Sequence, residues 1–169
     1  MKEFNKVAVG GTFDELHRGH KTLLTRAFEI GEHVVIGLSS DELVSKLYKP
    51  HVTASYPDRE RGLKTWLNES GLTDRAEIVP LLDPYGSTLR DTEIQAIVVS
   101  EETKPTAEKI NTQRNHTGLL PLKIISINMV PSQNCGPIST TRIRRGEMDR
   151  EGRLLKKRYS HSDSMPCLK

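Results

Sequence analysis

The sequence predicts an α/β protein: a doubly wound, parallel sheet of about five strands in a single domain. Three observations lead there. Five short runs rich in valine and isoleucine recur along the chain, as strands buried on both faces require. Helical patterns separate them, so successive strands run parallel through right-handed crossovers. The first run empties into a glycine-rich turn at a helix start, where such a sheet keeps its ligand site.

Taken in order, the first strand is Lys6–Val9. A helix over His20–Ile30 follows, with Leu23, Leu24, Ala27, Phe28 and Ile30 as its apolar stripe and Gly31 as its stop. His33–Leu38 is the second strand. The helix Pro57–Ser70 opens with proline in its first turn, sets Leu63, Trp66 and Leu67 on one face and stops at Gly71. Strands at Glu77–Leu82 and Ala96–Val99 precede a polar helix, Pro105–Asn115, that reads as exposed. A fifth strand covers Leu122–Val130. The last helix is expected over Ser139–Lys156, with Ile143, Met148, Leu154 and Leu155 as a thin apolar component. The domain is taken as residues 1–150, and the basic stretch 151–169 as a partly mobile extension.

Composition mainly excludes. A chain of 169 residues suits one domain. No stretch approaches the ~18 apolar residues of a membrane span, and Met1-Lys2-Glu3-Phe4 opens onto a strand, not a signal peptide. Cys135 and Cys167 are too few for a disulfide scaffold and lack metal-ligand spacing, so a cytoplasmic protein with no resident metal site is expected. The formal charge of +3 is uneven: residues 142–169 carry a net +5 and residues 1–141 a net −2. That basic end has one aromatic, Tyr159, and does not read as a nucleic-acid surface. Neither a membrane nor a protein partner is expected.

The chemistry concentrates in Gly10-Gly11-Thr12-Phe13-Asp14-Glu15-Leu16-His17-Arg18-Gly19-His20. A strand, a glycine-rich turn and a helix start together offer backbone N–H groups to an anion. Gly10 and Gly11 let backbone approach a phosphate, or simply make a tight turn. Thr12 adds a hydroxyl, either for a phosphate oxygen or as a turn residue. His17 and His20, with Gly19 between them, aim two imidazoles at the same spot. Asp14 is read as a structural bond to backbone N–H groups, since an acid gains nothing from facing phosphates without a metal.

A second constellation is Gly136-Pro137-Ile138-Ser139-Thr140-Thr141-Arg142-Ile143-Arg144. Its hydroxyls can cap the last helix. Arg142 and Arg144, however, oppose the helix dipole by ~0.3–1 kcal/mol each unless an anion offsets them. With the first motif it reads as the second jaw of a polyphosphate clamp.

Together, GGTFDELHRGH and the distal ISTTRIR resemble the HxGH nucleotidylyltransferase superfamily. Gly37-Leu38-Ser39-Ser40-Asp41-Glu42-Leu43 and Ile97-Val98-Val99-Ser100-Glu101-Glu102-Thr103-Lys104-Pro105, running on to Lys109-Ile110-Asn111, are similar to its archaeal and eukaryotic-type phosphopantetheine adenylyltransferases. The resemblance covers about residues 4–150. It implies a Rossmann-like fold and transfer of AMP from ATP to 4′-phosphopantetheine, giving dephospho-coenzyme A and pyrophosphate. It implies further that His20 stabilises charge on the α-phosphate and that His17 contacts the ATP phosphates beside Gly10, Gly11 and Phe13. Thr12 would orient the attacking phosphate, Ser139, Thr140, Thr141 and Arg144 would hold the β- and γ-phosphates, and Mg²⁺ would arrive with ATP.

Two features depart from the bacterial branch. Its acceptor-binding lysine aligns with neither Lys46 nor Lys49 uniquely, and Arg59 and Arg61 are lesser candidates. Its arginine-glycine segment after the fourth strand is replaced by Ser100-Glu101-Glu102. A related enzyme acting on nicotinamide mononucleotide, flavin mononucleotide or glycerol phosphate shares the first motif. A regulatory module that binds nucleotide without turnover is the reading from a different class.

Overall fold

The computed structural model describes residues 1–47, 52–128, 130–134 and 136–155. The elements are β1 (Phe4–Gly11), α1 (Arg18–Ile30), β2 (Gly31–Ser39), α2 (Asp41–Lys46), α3 (Tyr56–Glu69), β3 (Ala76–Leu81), β4 (Ala96–Ser100), α4 (Lys104–His116), β5 (Lys123–Ile127) and α5 (Thr140–Arg144), with short 3₁₀ turns at Thr73–Arg75 and Gly86–Leu89. The strands form one sheet in the order β3-β2-β1-β4-β5, every pairing parallel. This is the doubly wound sheet that the sequence predicts, with its switch point between β1 and β4.

Alternation along the central strands builds two core layers. Val7 and Val9 of β1, with Ala96 and Val98 of β4, face α1 and α3 and meet Leu24, Phe28, Leu63 and Leu67. The intervening Ala8, Ile97 and Val99 face the other way, onto Ala107 and Ile110 of α4. Thus α4 is polar in composition but not free-standing: Ala107, Ile110 and Arg114 are buried. Close packing explains Gly31, where a Cβ would come within 2.7 Å of Val7 Cγ2. It is the stop of α1 that the sequence marks, and with extended backbone it begins β2 directly.

The last helix departs most from expectation. It spans only Thr140–Arg144, not Ser139–Lys156. Gly146 takes φ +70°; its N–H bonds the Ile143 carbonyl and that of Glu147 bonds the Arg142 carbonyl, which is a Schellman stop. The chain then turns back so that Met148, 1% exposed, bridges to Leu154. Asp149 holds this turn by accepting from the N–H groups of Glu151 and Arg153. Residues 151–155 are therefore folded onto the body, while Lys156, Tyr159, Cys135 and Cys167 lie outside the described residues.

Candidate active site

A cavity of about 800 Å³ opens at the carboxyl ends of the strands. Gly10–Asp14, His17, His20, Ser39, Ser100 and Ser139–Thr141 all line it, so both motifs and the ends of β2 and β4 converge as the topology predicts.

The first motif is built differently from a glycine anion loop. Gly10 and Gly11 are the last residues of β1, paired in register with Gly37 and Leu38. A Cβ on Gly11 would crowd the Phe13 ring at 3.2 Å, so glycine makes room for an aromatic floor. Phe13 is 2% exposed and meets His20 edge-on with ring centroids 5.4 Å apart. The left-handed backbone that the turn needs falls on Phe13 (φ 49°) and Glu15 (φ 52°), not on a glycine.

The histidines then cap α1 reciprocally. His17 is the N-cap, and its Nδ1 accepts from the N–H groups of Gly19 (3.1 Å) and His20 (3.4 Å). His20 Nδ1 accepts in return from the His17 N–H (3.3 Å). The rings stack with centroids 3.7 Å apart. A Cβ on Gly19 would lie 2.9 Å from His17 Cε1, which is why the residue between the histidines has no side chain.

Two chemical consequences follow. The helix start does not offer its N–H groups to an anion as expected: those of Gly19 and His20 go to His17, and that of Arg18 goes to the Arg150 carbonyl at 2.9 Å. In exchange, an Nδ1 that accepts leaves the ring proton on Nε2. Both imidazoles at the cavity are therefore Nε2–H donors. Burial pushes the His17 pKa down to about 4, with the Asp14 charge pulling weakly the other way, so that ring is neutral near pH 7.

The second motif is tied to the first through Asp14, which is 2% exposed. Arg144 grips it with both arms of the fork, Nε to Oδ2 at 2.9 Å and Nη2 to Oδ1 at 2.8 Å, and also reaches Glu15 at 3.4 Å. The Asp14 bond, with its charge, raises the Arg144 pKa above the usual value. Thr140 donates its hydroxyl proton to the Asp14 carbonyl at 2.9 Å, and Ala54 N–H donates to Asp14 Oδ1 at 3.2 Å. Ser139 caps α5 by accepting from the Arg142 N–H. Arg142 itself turns away to Glu147 at 3.1 Å. The anions that offset both arginines at the helix start are thus Asp14, Glu15 and Glu147.

The acceptor-side candidates are less concentrated. Lys46 is exposed and paired with Glu42 at 2.9 Å, away from the cavity lining, and Lys49 lies outside the described residues. Arg61 is exposed and paired with Asp58 at 2.9 Å, whereas Arg59 is buried. The sequence reading did not anticipate the apolar wall of Leu43, Leu47, Leu81 and Pro84, whose members are scattered over α2, the residue after it, the end of β3 and the turn that follows. A larger groove of about 1040 Å³ crosses the opposite edge of the sheet, but its cations are committed: Lys6 to Asp91 at 2.6 Å, and Arg75 and Arg114 to backbone carbonyls. It assembles no converging set of donors, and the smaller cavity is the candidate site.

A model of the family described as cytidylyltransferase-like matches residues 8–146. The chain is similar to a phosphopantetheine adenylyltransferase of Methanopyrus kandleri, 46% identical over 149 residues that cover 88% of this chain and 94% of that one. It is similar also to a phosphopantetheine adenylyltransferase of Methanothermobacter thermautotrophicus, 42% identical over 156 residues, 92% and 93% of the two chains. Among solved structures, a protein of unknown function from Archaeoglobus fulgidus matches with a TM-score of 0.65 at 35% identity, covering 72% of this chain and 88% of that one.

Proposed function

The chain belongs to the cytidylyltransferase-like family, and from that premise we propose that it is a phosphopantetheine adenylyltransferase. It moves AMP from ATP to 4′-phosphopantetheine, releasing pyrophosphate and forming dephospho-coenzyme A. The observation that carries this reading is identity of 46% and 42% to relatives of that name over most of both chains.

The reaction is a single displacement. An acceptor phosphate oxygen attacks the α-phosphorus of ATP, the bond to the β-phosphate oxygen breaks, and pyrophosphate departs with the electron pair. Such a reaction needs positioned donors more than a nucleophile. His20 donates through Nε2–H to the charge that develops on the α-phosphate, and His17 donates likewise to the ATP phosphates. Gly10, Gly11 and Phe13 form the floor beneath. Ser139, Thr140, Thr141 and Arg144 take the β- and γ-phosphates, Arg144 without giving up the buried Asp14, whose carboxylate would otherwise stand unpaired beside the nucleotide. Thr12 orients the acceptor phosphate, assisted by Lys49 or by Lys46 after it leaves Glu42. The substrate is MgATP, whose metal is held by phosphates and water; among the described residues no group of three His, Cys, Asp or Glu side chains is placed to hold one.

The test is ATP-dependent pyrophosphate release with phosphopantetheine beside nicotinamide mononucleotide, flavin mononucleotide and glycerol 3-phosphate. Turnover is expected with phosphopantetheine and none with pantetheine, which lacks the attacking phosphate. Turnover confined to one of the other three acceptors overturns the acceptor and leaves nucleotidyl transfer standing.

A further inference from the structure

Two buried cations among the described residues, Arg59 and Arg114, have no task in the mechanism, and Arg59 is the one bonded to segments that line the cavity. Arg59, in the first turns of α3, is 3% exposed. Its guanidinium makes four hydrogen bonds: Nε to the Ala54 carbonyl (2.8 Å), Nη1 to the carbonyls of Thr12 (2.9 Å) and Ser39 (2.8 Å), and Nη2 to Asp41 Oδ1 (2.9 Å). Thr12 follows β1 and Ser39 ends β2, and Ser39 Oγ also donates to the Gly11 carbonyl at 3.3 Å. One side chain therefore ties together the carboxyl ends of two neighbouring strands and the segment leading into α3.

The position is a poor one for a cation on stability grounds alone. It lies near the positive end of a helix. Three of its four partners are neutral carbonyls, and the one carboxylate, Asp41, has a side chain 59% exposed. An apolar residue of similar volume would spare the desolvation of a charge, at the cost of leaving three carbonyls without their donor. What an apolar residue lacks is the planar fork, which fixes several acceptors in one geometry; lysine, a point charge on a flexible stem, lacks it too.

We propose that Arg59 is a positioning residue for adenylyl transfer. Held from behind through its carbonyl, Thr12 is set at the angle from which its hydroxyl orients the acceptor phosphate, while Ser39 is locked beside it. Arg59 does not touch either substrate; it acts through Thr12. This rests on the role given to Thr12 above, and it concerns the acceptor half of the reaction only.

The test is a kinetic cycle of wild type, Thr12→Ala, Arg59→Lys and the double variant, with kcat and KM measured for each substrate. The acceptor is the phosphate monoester that the panel assay shows the wild type to use, so a wrong acceptor identity shows itself before the cycle begins. Arg59→Lys is expected to lower kcat/KM for the acceptor on the order of tenfold or more, as displacement of a positioned group does. KM for ATP is expected to change less than about twofold, because its donors sit on other segments. The double variant should be no worse than Thr12→Ala alone. Losses that multiply in the double variant, an equal rise in both KM values, or a lowered melting temperature with unchanged kinetics each overturn the proposal. Should Arg59→Lys fold too poorly to assay, Asp41→Asn, which loosens the fork from its exposed side, carries the same test. A rise in acceptor KM of about threefold with ATP KM unchanged supports the proposal, and no acceptor-selective change overturns it.

Discussion

At the amino edge of the sheet, Arg75 ends on the carbonyls of Phe28, Gly31 and Glu32, and Arg114 on those of Thr88, Asp91 and Leu120. At the carboxyl edge, Arg59 and Arg144 end on Thr12, Ser39 and Asp14, the segments that build the cavity. Both edges use guanidinium forks to satisfy groups that a parallel sheet leaves open. At the amino edge the forks close the carboxyl end of α1 and the loops around α4, and nothing converges on the groove they border. At the carboxyl edge the same device fixes the spacing between two motifs that both face one space. Cavity size alone ranks these regions the wrong way round; what separates them is whether donors converge.

That contrast can be broken by substitution. The largest effect is expected at His20. His20→Ala should lower kcat by about 10²–10³, or ~3–4 kcal/mol, the scale of losing one preorganised donor at developing charge. ATP affinity should fall much less, as a titration with a non-hydrolysable ATP analogue would read. A variant that keeps most of its turnover would mean that the carboxyl edge does not act through this imidazole.

Arg114→Met is the matching change at the amino edge. It should lower stability by about 3 kcal/mol, because buried carbonyls lose their donor, while kcat/KM of the folded protein stays at the wild-type value. Urea unfolding together with steady-state kinetics checks both halves. A selective loss of turnover would show that the two edges communicate.

A third change sharpens the comparison through pH. His17 titrates near 4 when folded, below its ordinary value of 6.5, because burial disfavours its charged form. The unfolded chain therefore binds more protons between those values, and stability rises with pH across the window and is lost as pH falls through it. The slope is at most about 1.4 kcal/mol per pH unit. His17→Asn keeps an N-cap acceptor without the titration, so its stability should be flatter than wild type between pH 6.5 and 4. Superimposable curves would exclude His17 as the group responsible.

What the sequence made legible follows from range. The central strands β1, β2 and β4 are visible because burial on both faces demands contiguous valine and isoleucine, and the edge strands β3 and β5, though only partly buried, still overlap predicted runs. The two motifs are visible because their residue types are unusual together. The length of α5 was legible in principle: Gly146 marks its stop, but the thin apolar series through Met148 and Leu154 imitates a helix. The reciprocal cap was not, since histidine is not an expected N-cap and its role depends on ring stacking. Arg59 was legible only as a lesser acceptor-side candidate on the helix Pro57–Ser70, since its neighbours Asp58, Glu60 and Arg61 give no sign of its burial.

The Asp14–Arg144 bond joins residues 130 positions apart, and that separation sets an order of events during synthesis. At translation rates of roughly 5–20 residues per second, the first motif leaves the ribosome about 6–26 s before its partner. Through that interval β1, β2 and β3 can pair, since all three precede Leu82 in the chain. The nascent protein thus holds its histidines and glycines early but lacks the arginine that neutralises Asp14. The site proposed to bind nucleotide is therefore completed only by a segment made well after the strands that carry its first half.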